Sequence, residues 1–327
     1  MEISVIVNSF NNEKTIGRCL HSVVAQTFSD FECIVIDDCS LDHTYAVCES
    51  FVKNDNRIVL VRNENNIGCS LTRKRGFEHS QGKHVVFIDG DDWLESDFLE
   101  RLVGLANAEN ADLVYCDYFE EDGLITKTMQ QNVDSKTKTQ IIAAMASYDP
   151  MLVSSLWNKL IKRELVNKAE FPDVKYGEDM YISLQLAYYS KKSVYVPLPL
   201  YHYWVNNIES MCNNKEKESE RRLAMYDVCE KILSFLSTHY LSNNLFEPML
   251  SIRMNKTSLR IFEDKDLRSK RDAFSLYPPA IKHLFRKEVQ FDLSKKLVFL
   301  FANIVYRISH QKNRSKGRLA SSFCELD

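Results

Sequence analysis

The chain lacks several features that would place it in common protein classes. No apolar run is long enough to cross a bilayer, so no transmembrane helix is expected. The net charge of −3 gives no overall basic excess, so no nucleic-acid partner is expected. A strand is predicted almost from Met1, and therefore no secretory signal is expected. These absences favour a globular cytoplasmic protein.

Paired cysteines are also missing. The nine cysteines form no C-x-x-C pair, and their number is odd. Most of them lie in apolar segments, which favours buried free thiols in a reducing compartment. With 327 residues, 45% of them hydrophobic, the chain can bury one large core or two smaller ones.

The first third of the chain alternates strands with helices. Strands are predicted at 3–7, 33–36, 58–61, 85–88 and 112–119, and helices between them include 42–53 and 70–80. This order predicts an α/β fold with a Rossmann-like, mainly parallel central sheet and helices on both faces. An Asp-Gly turn at 122–123 predicts a hairpin, and a further strand at 194–200 contains two prolines and is predicted at an edge or exit of the sheet.

Three carboxylates follow the fully apolar strand at 85–88. Asp89, Asp91 and Asp92 repel one another, which raises the pKa of at least one of them unless a cation lies among them. Mg²⁺ and Mn²⁺ prefer oxygen ligands and are often shared with phosphate oxygens. Gly90 allows a tight turn between the acids. The alternative is a solvated acidic loop, which the buried strand before it disfavours.

Polar residues also follow the other predicted strands. Asn8 and Ser9 follow the first, Asp37 and Asp38 the second, and Asn63 the third. Ligands of parallel sheets bind beyond the carboxyl ends of the strands, so this convergence suggests a ligand site.

The usual phosphate-binding loops are absent from this predicted site. No G-x-G-x-x-G follows the first strand, and the chain has no P-loop. A nucleotide would therefore be held by carboxylates and a metal ion. Arg73 is a candidate contact to the diphosphate, and a solvated basic helix face is the alternative.

Three stretches carry motifs that occur together in one known family. They are SVIVNSFNNEKTIGRCLHSVVAQTF, IVIDDCSLDHT and NENNIGCSLTRKRGFEHSQGKHVVFIDGDDWL. In this order and spacing they resemble the family 2 inverting glycosyltransferases, which have the GT-A fold. The resemblance implies a nucleotide-sugar donor, most often UDP-linked, and an Asp-x-Asp that holds the diphosphate through Mn²⁺ or Mg²⁺. The acceptor would be a glycan or a lipid-linked saccharide, as in surface polysaccharide synthesis.

The resemblance assigns roles to individual residues. Asp38 should accept a hydrogen bond from the uracil N3–H, with Asp37 in support. Asp89 would lie near the ribose and the metal, and Asp91 would bind the metal directly. The family often has Arg-Asn where this chain has Arg73-Lys74. The expected diphosphate contact therefore applies to Arg73, and no role is expected for Lys74. The expected nucleotide-sugar contacts are Ser9, Asn11, Asp37, Asp38, Asn66, Arg73, Asp89, Gly90, Asp91 and Trp157.

Two aromatic segments leave alternatives open. Trp157 lies in a Trp-Asn-Lys-Leu element resembling one in the family, and it is expected to stack on a sugar ring or to fill the core. Lys159 is expected to be a structural or phosphate-facing cation. His202 is a candidate third metal ligand, although a histidine among aromatic residues is more often packed. The family has a basic residue where this chain has Trp204, which weakens any diphosphate contact from that loop.

Glu178 and Asp179 precede an apolar helix. Taken alone, they would be favourable charge at a helix N-terminus. In the family, a Glu-Asp pair supplies the general base that must reach the acceptor hydroxyl. Asp179 is the expected base, and Glu178 is expected to position donor or acceptor. Direct displacement needs no covalent intermediate and inverts configuration.

The expected domain plan has two parts. A GT-A domain at 1–212 would contain a nucleotide-sugar half, 1–118, and an acceptor half, 119–212. A helical C-terminal region, 213–327, follows, with helices at 215–240, 246–262 and 294–310. Basic residues there flank the apolar segment 297–306, a pattern typical of a helix on an anionic membrane surface. This predicts peripheral association with the inner face of the cell membrane; a buried helix or a homo-oligomer contact is the alternative.

Two classes of function fit these motifs. The first is the metal-dependent glycosyltransferase described above. The second is a non-catalytic nucleotide-sugar-binding or scaffolding subunit of a polysaccharide-assembly complex. Because Asp89-Gly90-Asp91 and Glu178-Asp179 are both intact, the sequence favours the enzyme.

Overall fold

The structure is a computed structural model that describes residues 1–131, 138–146, 154–205 and 218–239. In its first compact unit the strands are β1 Ile3–Ser9, β2 Phe31–Asp37, β3 Ile58–Arg62, β4 His84–Asp89, β5 Trp93–Leu94, β6 Leu113–Glu121, β7 Thr126–Met129, β8 Lys159–Lys162 and β9 Ser193–Trp204. The helices of this unit are α1 Ile16–Val24, α2 Thr44–Val52, α3 Cys69–Glu78, α4 Phe98–Glu109, α5 Lys138–Ala146, α6 Arg163–Lys168 and α7 Glu178–Tyr189. The second unit contains α8, Glu218–Thr238.

The first unit is built on a nine-stranded sheet with the order β3-β2-β1-β4-β8-β6-β9-β5, and β7 pairs with β6. The strands β1 to β4 are all parallel to one another, as the βαβα pattern predicts. Beyond β4 the sheet is mixed, because β8 is antiparallel to both β4 and β6, while β9 is parallel to β6. The mainly parallel arrangement therefore holds for the first half of the sheet alone.

The parallel strands explain where the core lies. All seven residues of β2 are buried, and β1 and β4 are buried along nearly their whole length. Such continuous burial requires helices on both faces of the sheet, and it accounts for the unbroken apolar runs. The Cα atoms of Asn8 and Asp89 are paired in register, as are those of Ser9 and Asp37. The carboxyl ends of β1, β2 and β4 thus meet at one edge of the sheet.

The predicted hairpin is confirmed and joins β6 to β7. Gly123 has a φ of +89°, a conformation that glycine adopts without strain. The Asp122 Oδ1 accepts hydrogen bonds from the main-chain N–H groups of Leu124 at 2.8 Å and Ile125 at 2.7 Å. The Asp-Gly signal identified this turn correctly because both residues act locally.

The proline-containing strand, β9, is longer than predicted. In the strand order β9 lies between β6 and β5, but β5 pairs with it only at Tyr201 and His202, so the predicted segment 194–200 has its ladder partners on β6 alone, as an edge position requires. Pro197 and Pro199 fall where the pairing of β9 with β6 shifts register, and β5 pairs with residues further along, Tyr201 and His202. A local irregularity therefore accommodates residues that cannot donate a ladder hydrogen bond.

The second unit is represented by α8, which matches the helix predicted at 215–240. Its buried residues recur at helical spacing, as an amphipathic helix requires; they are Ala224, Val228, Cys229, Ile232, Phe235 and Leu236. The predicted helices at 246–262 and 294–310 and the segment 297–306 lie outside the described residues. Among the helices that are described, none is long and apolar enough to cross a membrane. The two-domain boundary and the membrane association stay predictions.

The cysteines of the described residues are free thiols, as the sequence predicts. Five of them are buried: Cys19, Cys33, Cys48, Cys116 and Cys229. Burial raises the pKa of the Cys48 thiol to about 12, which disfavours the reactive thiolate there.

Candidate active site

Arg73 on α3 connects two acidic segments that are far apart in the sequence. Its Nη2 donates to the Asp89 Oδ1 at 2.7 Å. Its Nη1 donates to the Glu178 Oε1 at 2.8 Å and to the Asp179 Oδ1 at 2.5 Å. The Arg73 side chain is only 3% exposed. One guanidinium therefore joins the acidic loop after β4 to the acidic pair that begins α7.

Packing in this cluster changes the pKa values of Glu178, Asp179 and Arg73. Burial raises the pKa of Glu178 to about 7; repulsion from Asp179 adds to the rise, and Arg73 opposes it. Burial also raises the pKa of Asp179, against the attraction of Arg73. Burial alone would lower the pKa of Arg73, but the carboxylates of Asp179 and Asp89 outweigh it and hold the value well above its ordinary range. A guanidinium that stays protonated thus offsets part of the repulsion among three neighbouring carboxylates.

Asp92 is a structural acid of the loop after β4. It is fully buried, and its Oδ2 accepts a hydrogen bond from the Tyr201 hydroxyl at 2.6 Å. Its Oδ1 accepts from the main-chain N–H of Trp204 at 2.8 Å. Burial raises the pKa of Asp92 well above its ordinary range, and the Asp91 and Asp89 carboxylates add to the rise. The predicted repulsion among the three acids is therefore present, although burial is the larger cause.

Gly90 fits a space that no other residue could occupy without displacement. A Cβ at this position would lie 3.0 Å from the Ser9 Oγ, 3.1 Å from the Asn12 Oδ1 and 3.1 Å from the Asn8 carbonyl oxygen. The Gly90 N–H also donates to that carbonyl at 3.0 Å. The acidic loop is thus packed directly against the end of β1, so its main chain is held close to the strand.

The donor set around this loop fits a divalent cation in part. Asp89 and Asp91 supply carboxylate oxygens, which Mg²⁺ and Mn²⁺ prefer, and their side chains are incompletely buried. Within the part of the chain that the structure describes, no three His, Cys, Asp or Glu side chains are grouped to hold a metal ion. Phosphate oxygens and water would have to supply the remaining ligands, as they do in many nucleotide sites.

Asp38 and its neighbours fix the loop between β3 and α3. The Asp38 Oδ1 accepts from the Asn63 Nδ2 at 2.6 Å and from the Ile67 N–H at 2.9 Å, and its Oδ2 accepts from the Gly68 N–H at 2.9 Å. Asn66 is exposed, and its Nδ2 donates to the Asp38 carbonyl at 3.3 Å. Asp38 thus already holds this loop, and its contact with a base stays a prediction.

The other predicted residues of this edge have structural partners too. The Asp37 Oδ2 lies 3.2 Å from the Arg62 Nε, whereas its buried Oδ1 has no hydrogen-bond partner among the described residues. The Ser9 Oγ donates to the Asn12 Oδ1 at 3.0 Å. Asn11 has a φ of +53°, and its Oδ1 accepts from the Leu41 N–H at 2.9 Å. The structure therefore brings Ser9, Asp37 and Asp89 to one edge, as predicted.

Trp157 is packed among tyrosines. Its ring stacks on Tyr201 with centroids 4.5 Å apart and on Tyr203 with centroids 5.4 Å apart, and Tyr118 contacts it edge-on at 4.8 Å. Only 8% of the residue is exposed. This packing favours the core alternative, because stacking with a sugar needs an accessible ring face.

His202 is engaged through both ring nitrogens. The Nδ1 lies 2.8 Å from the Glu121 Oε1, and the Nε2 lies 2.8 Å from the Glu95 Oε1. Its ring is stacked against Trp93 and Phe119, with centroids 4.8 Å and 4.7 Å away. Binding a metal would require one of these carboxylate contacts to break, so the geometry favours the packed histidine that the sequence left as the alternative.

Comparison with known proteins identifies the family and the fold of this chain. The model of the family described as "Glycosyl transferase family 2" matches residues 4–169, which is half of the chain. This chain belongs to glycosyl transferase family 2. EpsH of Bacillus subtilis strain 168, named as a glycosyltransferase, is 31% identical over 237 residues, or 69% of this chain and 67% of EpsH.

One further relative and one solved structure extend the comparison. The GalNAc(5)-diNAcBac-PP-undecaprenol beta-1,3-glucosyltransferase of Campylobacter jejuni is 27% identical over 238 residues, covering 71% of this chain and 74% of that protein. The S. aureus TarS structure with UDP-GlcNAc aligns with a TM-score of 0.66 at 19% identity, over 97% of this chain and 92% of TarS. The predicted GT-A fold and the predicted glycosyltransferase class are thereby confirmed.

Lys159 is a buried residue of the glycosyltransferase. From the sequence, its expected role was structural or phosphate-facing. Its Nζ donates to the Ser155 carbonyl and, at 2.9 Å, to the Asn158 Oδ1. In the same turn, the Leu156 N–H donates to the Asp179 Oδ2 at 3.3 Å. Lys159 therefore stabilises the turn that contacts Asp179, which makes the structural role the better supported of the two.

Replacing Lys159 with Met is expected to change how stability depends on pH. Burial lowers the pKa of Lys159 from its ordinary value of 10.5 to about 7, although Asp179 opposes the shift. Between these values the unfolded chain binds more protons, so the lysine makes stability rise with pH, by at most about 1.4 kcal/mol per unit. Denaturant unfolding at several pH values measures this effect. The free energy of unfolding of the wild type, minus that of the variant, should increase from about pH 7 to about pH 10.

Lys168→Met is the matched control, since Lys168 is exposed on α6. Its difference from the wild type should stay constant with pH. A constant difference for Lys159→Met as well would mean that the amine is not perturbed by burial.

Sequence reasoning missed the contacts that hold the glycosyltransferase site together. Neither the Arg73 bridge to Glu178 and Asp179 nor the bonds from Asp92 to β9 leave a local sequence signal. They join residues more than a hundred positions apart. The one sequence signal for such a contact was the excess of acidic over basic residues at the strand ends. Closely spaced buried acids need a cation among them.

Proposed function

We propose that this chain is an inverting, metal-dependent glycosyltransferase that uses a nucleotide-sugar donor, with a UDP-sugar favoured. The observation that carries the proposal is the convergence of Asp89 with Glu178 and Asp179 on the guanidinium of Arg73. It brings the acidic loop after β4, which would face the diphosphate, into one site with a candidate general base, as direct displacement requires.

Asp179 is the proposed general base. Its side chain is 24% exposed, whereas that of Glu178 is 10% exposed, so Asp179 is the more accessible to an acceptor hydroxyl. The Leu156 N–H and the Arg73 guanidinium hold its two oxygens. The raised pKa of Glu178 favours a neutral, hydrogen-bonding role for this residue, which leaves Asp179 as the proposed proton acceptor.

The donor would lie along the edge formed by β1, β2 and β4. Ser9, Asp37, Asp38 and Asp89 lie at that edge and supply the polar groups that a nucleoside diphosphate needs. Bound with it, Mn²⁺ or Mg²⁺ would stabilise the negative charge on the departing diphosphate, held by Asp91 with Asp89 in support. That TarS was solved with UDP-GlcNAc supports a UDP-sugar for a chain of the same fold.

The proposed acceptor is a glycan or a lipid-linked saccharide in surface polysaccharide synthesis. The Campylobacter jejuni relative supports this, because its name specifies an undecaprenol-linked saccharide. The basic and apolar C-terminal pattern would suit a protein that meets such an acceptor at a membrane surface.

Asp91→Asn should abolish the dependence of UDP binding on Mn²⁺. The substitution removes a charged oxygen ligand while keeping the size of the side chain. For the wild type, isothermal titration calorimetry is expected to show tighter UDP binding with Mn²⁺ than without it. For the variant, the two affinities should be equal.

Asp30→Asn is the control for this experiment, because Asp30 is exposed at the opposite end of β2. It should behave as the wild type does. If Mn²⁺ has no effect on UDP binding by the wild type, the metal-dependent proposal is wrong. Binding of donor without release of UDP from any of a panel of UDP-sugars, with acceptor saccharides present, would favour the non-catalytic alternative.

A further inference from the structure

Arg18 lies in the first turn of α1 and contacts the acidic loop through its guanidinium. The Nη2 donates to the main-chain carbonyl of Asp91 at 2.8 Å. The Cζ lies 3.6 Å from the ring centroid of Trp93 and 4.9 Å from that of Trp204. The cation is therefore held by two indole rings while it binds the loop.

The residues around Asp91 are fixed by independent contacts. The Gly90 N–H donates to the Asn8 carbonyl at 3.0 Å, and the Asp89 carbonyl accepts from the Cys19 Sγ at 3.7 Å. On the other side, Asp92 is fixed by the hydroxyl of Tyr201 and the N–H of Trp204. Arg18 supplies the bond to the peptide between Asp91 and Asp92, and so restricts the main-chain rotation that aims the Asp91 side chain.

The partial burial of Arg18 is unfavourable in itself. Burial lowers the pKa of its guanidinium, although Asp92 and Asp91 oppose the shift. Its Nε is buried and has no hydrogen-bond partner among the residues that the structure describes. A buried donor without an acceptor destabilises the fold, so stability alone does not account for an arginine at this position.

We propose that Arg18 is a positioning residue of the donor site. It sets the direction of Asp91 by holding the Asp91 carbonyl, and the indole rings of Trp93 and Trp204 hold the guanidinium in place. The inference rests on the proposed function, because it gives Asp91 the task of binding the metal with the diphosphate. A rigid ligand binds a metal more tightly than one that must be ordered during binding.

The test compares Arg18→Met and Arg18→Lys with the wild type. Arg18→Met removes the charge and the hydrogen bond, and Mn²⁺ binding in the presence of UDP should weaken about 10- to 100-fold, as for other residues that orient metal ligands. Arg18→Lys keeps the charge and one donor but loses the planar stack, so its affinity should lie between the two. Calorimetric titration of Mn²⁺ into protein with saturating UDP measures these affinities directly.

Steady-state kinetics add a second readout. For Arg18→Met, the KM for the UDP-sugar should rise by a larger factor than kcat falls, because the base at Asp179 is untouched. Lys14→Met is the matched control, since Lys14 is an exposed cation of the segment before α1. It should leave both the affinity and the kinetics unchanged.

The outcomes separate this inference from the proposed function. Wild-type Mn²⁺ affinity in a folded Arg18→Met protein would overturn the role of Arg18, while Asp91 could still bind the metal. If the wild type binds no Mn²⁺ with UDP, the proposed function fails, and the role of Arg18 fails with it. Should Arg18→Met not fold, Arg18→Lys decides, because wild-type affinity in that variant would show that the stacked guanidinium is not required.

Discussion

Asp179→Asn is expected to lower turnover by about 10²- to 10⁴-fold, which is the range for loss of a general base. The amide keeps the size of the side chain and can still accept the Leu156 N–H, but it cannot take a proton from an acceptor hydroxyl. Donor binding should be largely retained, because the substitution leaves unchanged the strand ends of β1, β2 and β4 that supply the proposed nucleotide contacts. Release of UDP in the presence of acceptor measures turnover, and calorimetry with UDP measures binding.

The control for this variant is Asp173→Asn, which changes an exposed acid in the segment before α7. Its turnover should equal that of the wild type. Unchanged turnover in Asp179→Asn would remove Asp179 from the role of base. Glu178→Gln would then be the next variant to measure, since Glu178 shares the contact with Arg73.

Arg73→Met is expected to have the largest effect on both stability and activity. It removes the partner of three carboxylates, whose side chains are between 10% and 24% exposed. Breaking a buried ion pair by deleting one partner costs about 3–5 kcal/mol, because the remaining charges stay buried. Turnover should fall as well, since the main hydrogen bond that orients the proposed base is lost. Chemical denaturation measures the first effect and UDP release the second.

The neighbouring Lys74 offers a matched control for Arg73. Its side chain is 53% exposed and lies 3.9 Å from Glu78, so Lys74→Met should change stability little. Arg73→Lys should recover stability only in part, because an ammonium group does not reproduce the planar fork that reaches all three acids.

The same variants test the role that the sequence gave to Arg73. The Nη1 of Arg73 donates hydrogen bonds to Glu178 and Asp179, and the Nη2 donates to Asp89. If Arg73 chiefly orients these acids, Arg73→Lys should lower kcat while the affinity for UDP stays near that of the wild type. A large loss of UDP affinity with an unchanged kcat would instead support the predicted contact with the diphosphate.

The acids at the strand ends show what can be predicted from local sequence. Asp37 and Asp89 follow buried apolar strands, and parallel pairing brings such strand ends to one edge, so their proximity follows from pattern alone. The prolines of β9 are a second local signal. Their missing N–H groups predict an edge, and the segment that contains them pairs with β6 alone. No local pattern reveals the register shift with β6 at the same place.

The aromatic residues illustrate the opposite case. The sequence left Trp157 between a sugar contact and the core, and His202 between a metal ligand and a packed side chain. Three tyrosines around Trp157 and two carboxylates at His202 favour the second alternative for each. Apart from Glu95, these partners lie in β6 and β9, which are paired only in the folded sheet, so composition and spacing could not distinguish the alternatives.

The sequence by itself determined the α/β architecture, the edge at which the acids gather, the free thiols and the family. All of these depend on periodicity, strand order and short motifs, which are local properties of the chain. Only the tertiary structure decided that Arg73 joins Asp89 to Asp179 and that Arg18 holds the loop at Asp91. A guanidinium on a helix can face solvent or a buried carboxylate. Its burial is favourable only where distant segments bring enough negative charge to it, and that depends on how the whole chain packs.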